Sequence, residues 1–230
     1  SRYFARVLFE THQCKSVAII DSASTSVFSV GETTGLNVEI GEGLTTITPV
    51  MDGRLYQPSI QRLNLAGVDI LNYLQSLLSR YGVMHKREIL NEIKEQACEI
   101  ALNPEQAAED SANDQQYILP DGESLTINAY VATWTGEVLF QPSLLGQQQM
   151  SNLPQAIIYS IQNTHQAYWR KLLKTIILSG GSSQFKGLKS RLKHDLEQLV
   201  PQLGPLPEPQ PEQEIDAPPE PEESAPPSEG

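Results

Sequence analysis

Two short glycine-rich stretches carry the residue types that could handle a phosphate group. The first is the turn Gly41-Glu42-Gly43, set between the β-prone runs Leu36–Ile40 and Leu44–Val50. Glycines let bare backbone N–H groups come close to a ligand, as phosphate oxygens require. The same turn carries two carboxylates, Glu39 and Glu42. They would repel a bare phosphate but could hold a hydrated metal ion beside one. The second stretch is Ser179-Gly180-Gly181-Ser182-Ser183, which follows the strand-like run Thr175–Leu178 and precedes a helical stripe. Strand, glycine turn, then helix gathers backbone amides and a helix N-terminus, a suitable place for a polar ligand. Each stretch also has a plainer reading, as a surface hairpin with solvated acids and as an ordinary turn.

Other chemically suggestive residues lack company. His12-x-Cys14 offers two metal-ligand types with no matching second pair, and His85, His165 and His194 are scattered. Serines and threonines between Ser22 and Val30 read as caps and filler. The two cysteines, Cys14 and Cys98, form no disulfide framework and suit a reducing compartment.

The glycine stretches need elements to hold them. Leu36, Val38 and Ile40 alternate with Asn37 and Glu39, so Gly35–Val50 is expected to be a hairpin. Val17–Ile20 reads as a short buried strand, and Ser22–Val30 as a helix with Ala23, Val27 and Val30 inward. Val68, Ile70, Leu71, Leu74, Leu77 and Leu78 mark a helix ending before Gly82. Lys86–Leu102 gives another, with Glu88, Glu92, Lys94 and Glu95 on its outer face. Asn103–Gln116 reads as a loop, and Tyr117–Val138 as a hairpin about Pro120-Asp121-Gly122. Asn152 is expected to cap a helix reaching Gln162. A helix over about His165–Leu173 should lead into the strand before Gly180. Leu188, Leu192, Leu196 and Leu199 give the last helix its stripe.

The chain has 230 residues, enough for one or two domains with a real core. Its net charge is −12, of which −8 falls after Pro201, where there is no Lys or Arg. This Pro- and Glu-rich tail is expected to be disordered, because it cannot bury enough surface to offset chain entropy. The acidic balance argues against direct, sequence-independent nucleic-acid binding. No apolar run approaches the ~20 residues of a membrane span, and no signal-peptide pattern is present. The start at Ser1, in mid-pattern, reads as a fragment, a processed product or an incomplete gene model.

GLNVEIGEGLTTITPVMDG (Gly35–Gly53) resembles the second phosphate loop of actin and the actin-related proteins. It is followed at that family's spacing by RLNLAGVDILNYL (Arg62–Leu74), IKEQACEIAL (Ile93–Leu102), YILPDGESLTI (Tyr117–Ile127), VLFQPSLLG (Val138–Gly146) and LSGGSSQFKG (Leu178–Gly187). A looser likeness runs from Phe9 to about Leu199. The resemblance implies an α/β fold: an actin-like ATPase lobe with a ribonuclease H-like mixed sheet and flanking helices, plus a smaller α+β subdomain. Residues 1–34 would lead into the lobe. Residues 35–66 and 151–200 would form its inner subdomain, 67–150 the outer one and 201–230 the tail. The lobe implied is the family's second.

By the same resemblance the cofactor is ATP or ADP with Mg²⁺ or Ca²⁺. Gly41, Glu42, Gly43 and Leu44 match the phosphate loop, with Glu42 where an Asp meets the ribose. Gly67 matches the glycine passing close to the sugar. Lys94 and Glu95 match the pair flanking adenine and ribose. Gly180, Gly181, Ser182, Gln184 and Phe185 match the loop closing over the adenosine, with Phe185 replacing a Tyr. Glu39 matches the acid that orients the metal's waters, normally an Asp. The family's first phosphate loop is absent, and its water-positioning glutamine aligns with about Ser22. Hydrolysis of this type is positioning plus electrostatic stabilisation, so such losses imply a large fall in rate. Two functions follow. One is a nucleotide-binding actin-related subunit, cytoplasmic and cytoskeletal or else nuclear, with other actin-family subunits, actin-binding proteins or the missing first lobe as partners. The other is a non-enzymatic actin-like scaffold subunit, dynactin-like or chromatin-remodelling, with Val138–Gly146 and the loop after it matching the plug through which subunits associate.

Overall fold

The computed structural model describes residues 2–120 and 122–206. The remainder of the acidic tail, and Asp121 of the Pro120–Gly122 turn, lie outside the described residues. Short helix α1 (Arg2–Arg6) runs into a π-helical turn, and α2 (Ser22–Ser29) follows. The expected hairpin forms from β1 (Gly35–Ile40) and β2 (Thr45–Met51), with β3 (Arg54–Leu55) and β4 (Gln61–Leu63) both pairing antiparallel to β2. Helices α3 (Gly67–Ser79), α4 (Arg87–Ala97) and α5 (Pro104–Glu109) precede a separate hairpin of β5 (Gln115–Ile118) and β6 (Ser124–Ile127). Then come α6 (Ala129–Trp134), α7 (Leu153–Gln162), α8 (Trp169–Lys174), β7 (Ile176–Ser179) and α9 (Leu188–Leu199). β7 lies parallel to β1, with Ser179 opposite Glu39, so the five-stranded sheet is mixed and the architecture α/β.

Alternation along β1 sends Leu36, Val38 and Ile40 to one face, where they are fully buried with Ile47. That face packs against α3, α7, α8 and α9 through Ile70, Leu74, Ile157, Leu172 and Leu192. The other face meets α2 through a smaller cluster of Ala23, Val27, Val50, Leu55 and Ile177. Towards the turn this second face becomes polar: Asn37 pairs across to Thr48, and Glu39 to Thr46.

Several expectations need correction. Val17–Ile20 is no strand: it has no regular structure, and Ile19 and Ile20 are largely exposed. Val30 lies beyond α2 and is exposed. α4 stops at Ala97, and Lys94 is buried instead of facing solvent. The segment expected to be a loop from Asn103 holds α5, started by an Asn103 cap and Pro104 at its first position. The hairpin after Tyr117 ends at Ile127, where Asn128 caps α6. Val138, Leu139 and Phe140 belong to the core, whereas Gln141, Ser143, Gly146, Gln148 and Gln149 are exposed. The described part of the tail includes a 3₁₀ turn, Val200–Leu203, in which Leu203 is buried.

Candidate functional site

The turn of the first hairpin closes through the Gly41 amide, which donates to the Leu44 carbonyl at 3.1 Å. Two distant segments then converge on it. The amides of Gly67 and Val68, at the start of α3, donate to the carbonyls of Gly41 (3.0 Å) and Glu42 (2.7 Å). The Ser182 hydroxyl donates to the Gly41 carbonyl at 2.9 Å. Asp69 steadies this junction by accepting from the Ala66 amide at 2.9 Å. The bends at Gly41 and Gly180, so far apart along the chain, are therefore one structure.

Two glycines make that closeness possible. At Gly180 φ is +85°, and a Cβ would lie 2.4 Å from the Ile40 carbonyl oxygen, a backbone atom that cannot retreat. At Gly67 a Cβ would lie 2.5 Å from Ser182 Oγ and 2.6 Å from Glu42 Oε2. By contrast nothing approaches within 4 Å of such a carbon at Gly43 or Gly181, so their backbone is open on one side. The amides of Gly43 and Leu44 have no hydrogen-bond partner among the described residues. Open glycine backbone and unpartnered amides beside the N-terminus of α3 suit an anion.

The expected site residues separate into three groups. Gly41, Glu42, Gly43, Leu44, Gly67, Gly180, Gly181 and Ser182 are at the junction just described. Gln184 ends the 3₁₀ turn Gly181–Gln184 and is exposed, while Phe185 is half-buried against Gly136 and Ile100. Lys94 and Glu95 sit further along α4. Lys94 donates to Asn91 Oδ1 at 3.2 Å and Glu95 is exposed; among the described residues no hydrogen bond or ion pair joins either to the glycine bends.

Glu39 lies on the polar face of the sheet and accepts from the Ser22 hydroxyl at 3.3 Å. A shallow hollow of about 170 Å³ opens there, lined by Asp21, Ser22, Glu39, Thr46, Thr48 and Arg62. Asp21 is engaged in capping α2, accepting from the Ser24 amide at 2.6 Å. Among the described residues no group of three or more His, Cys, Asp or Glu could chelate a metal. The donor set fits an ion held mainly by phosphate oxygens and water, with Glu39 alongside. Behind the hollow, Asn37 is fully buried; its Oδ1 accepts from Ser179, and its Nδ2 has no partner among the described residues.

Two contacts escaped the sequence. Arg87 reaches from the first position of α4 to Glu42, Nη2 to Oε1 at 2.8 Å; an arginine opening an amphipathic helix carries no signal for this. The Asp21 cap did have one, an Asp immediately before a helix with its partner amide three residues on.

With these strands and bends in place, comparison with known families decides the relationship. The actin family model matches residues 2–224. The chain belongs to the actin family. Its mixed sheet with flanking helices is the actin-type arrangement. No helix among the described residues of this actin-family chain is long and apolar enough to cross a membrane.

Proposed function

We propose that this chain is a nucleotide-binding actin-related subunit, binding ATP or ADP with a divalent cation at the junction of its two glycine bends. One observation carries this reading: the Gly41, Gly67 and Ser182 segments lock together while the Gly43 and Leu44 amides stay unpartnered. Those amides would take phosphate oxygens, and a divalent cation would neutralise charge between the phosphates and Glu39. Gly67 and Glu42 would adjoin the ribose, and Phe185 the base. The inner region would be 35–66 with 151–200, and the outer one 67–150.

Hydrolysis is expected to be poor. The group standing where water would be positioned is the short hydroxyl of Ser22, already held by Glu39. A positioned water needs a fixed partner of the right reach, and displacement of about 1 Å costs roughly 100-fold. Partners would be other actin-family subunits or actin-binding proteins. The scaffold reading is favoured by a separate feature, the exposed aromatics Tyr3, Phe4 and Phe9 beside Arg6, which suit a protein contact.

Titration of the 230-residue chain with Mg²⁺-ATP tests the proposal. Binding weaker than micromolar, with no steady phosphate release, is expected. Absence of binding at millimolar nucleotide would leave the scaffold reading standing alone.

A further inference from the structure

The Glu42 carboxylate is divided between two neighbours. Oε1 pairs with Arg87 at 2.8 Å. Oε2 points at the notch above Gly67, as does Ser182 Oγ. Ser182 gives its proton to the Gly41 carbonyl, so the lone pairs of its oxygen are what it can offer the notch. Two acceptors thus lie side by side against Gly67, in the room that a side chain there would take. The lone pairs that these two oxygens leave unused match ligand hydroxyl donors, as on the vicinal diol of a ribose.

Glutamate has one more rotatable bond than aspartate, so an unsupported Glu42 would sample several rotamers. The contact with Arg87 favours one of these rotamers. Arg87 opens α4, whose far side is fixed in the core by Leu90, Ile93 and Ala97, so its guanidinium comes from a rigid element. We propose that Arg87 is a positioning residue for Glu42, holding one carboxylate oxygen so that the other accepts a hydrogen bond from a ribose hydroxyl. This rests on the nucleotide reading above and adds a determinant of sugar specificity outside the glycine bends.

The full chain is titrated with Mg²⁺-ATP and with Mg²⁺-2′,3′-dideoxy-ATP. A hydrogen bond to a charged group predicts about tenfold preference for ATP in the wild type. Arg87→Ala should reduce this to about twofold without changing affinity for the dideoxy nucleotide, and Arg87→Lys should restore most of it. A second readout needs no nucleotide. Guanidinium NMR of the unliganded chain should show hindered rotation at Arg87, lost in Glu42→Gln. Full discrimination retained by Arg87→Ala, or freely averaged Arg87 resonances in the wild type, would overturn this inference while leaving the nucleotide site intact. No binding of either nucleotide would remove the nucleotide site, and the inference with it.

Discussion

Two arginine–glutamate pairs join parts of this molecule that are far apart in sequence, and their surroundings differ completely. Glu137 is fully buried, and Arg191 of α9 is only 12% exposed. Arg191 meets both carboxylate oxygens of Glu137 at 3.0 and 3.1 Å. It also donates to the Ala101 carbonyl and pairs with Asp195, and its guanidinium lies 4.7 Å from the centre of the Phe140 ring. Gln141 donates to Glu137 as well. In the Arg87–Glu42 pair both side chains are at least half exposed, at 51% and 60%. Water solvates and screens these two charges, so their mutual attraction contributes little to the fold. The buried pair is fully hydrogen-bonded because an unpaired charge there would be costly. Identical chemistry therefore serves different ends: one pair fastens α9 to the segment around Glu137, while the other places a carboxylate beside the glycine junction.

Breaking the buried pair should have the largest effect. Glu137→Ala leaves Arg191 with Asp195 and a carbonyl but without its fully buried partner, and should cost about 3 kcal/mol of unfolding free energy. Urea denaturation measures it; a loss below about 1 kcal/mol would mean that Arg191 escapes to water and that the two pairs are alike.

Gly180→Ala tests the glycine junction beside the exposed pair. The new methyl would face the Ile40 carbonyl in a backbone conformation that side chains avoid. A cost of about 1–3 kcal/mol is expected, together with loss of ATP binding. A wild-type melting temperature with wild-type affinity would show that the bends can separate freely.

The buried pair also has a pH signature. Burial is the largest influence on Glu137 and raises its carboxyl above the ordinary glutamate range; Arg191 opposes this by attraction and hydrogen bonding. A folded pKa above the unfolded one means that the fold holds the proton more tightly. The associated stability is complete below the ordinary range, near pH 4.3, and is lost as pH rises through the raised value. Relative to Glu137→Gln, wild type should therefore lose stability as pH climbs from acid to neutral. Denaturation of both at two pH values checks the sign. An opposite trend would show that Arg191 outweighs burial.

The sequence carried much of this molecule and missed parts of it for physical reasons. The hairpin, α3, α7 and α9 were legible because one apolar face repeats at a single period, as Leu188, Leu192 and Leu196 do. The glycine junction was legible because glycine marks the close approaches, and at Gly67 and Gly180 a side chain would clash. Val17–Ile20 misled because an apolar run says nothing about whether anything covers it, and here Ile19 and Ile20 are exposed. Lys94 misled because a long aliphatic stem can be buried with its ammonium still bonded, here to Asn91. The helices α5 and α6 were hidden by brevity, although Asn103-Pro104 and Asn128 are cap signals. Neither arginine–glutamate pair was legible, since partners separated by 54 and 45 residues meet only through the fold.

The smallest effect separates the two pairs most sharply. Arg87→Ala removes an exposed charge and a contact to another exposed charge, so it should change unfolding free energy by less than about 0.5 kcal/mol. Stability measurements alone would class this residue as idle. Yet its helix is anchored by Leu90 and Ile93, and its partner carboxylate turns towards Gly67. A substitution that leaves melting untouched while altering sugar discrimination cannot be acting through the fold, because a fold effect of that size would appear in both. Should Arg87→Ala instead destabilise by more than about 1 kcal/mol, the exposed pair would be a strut like the buried one.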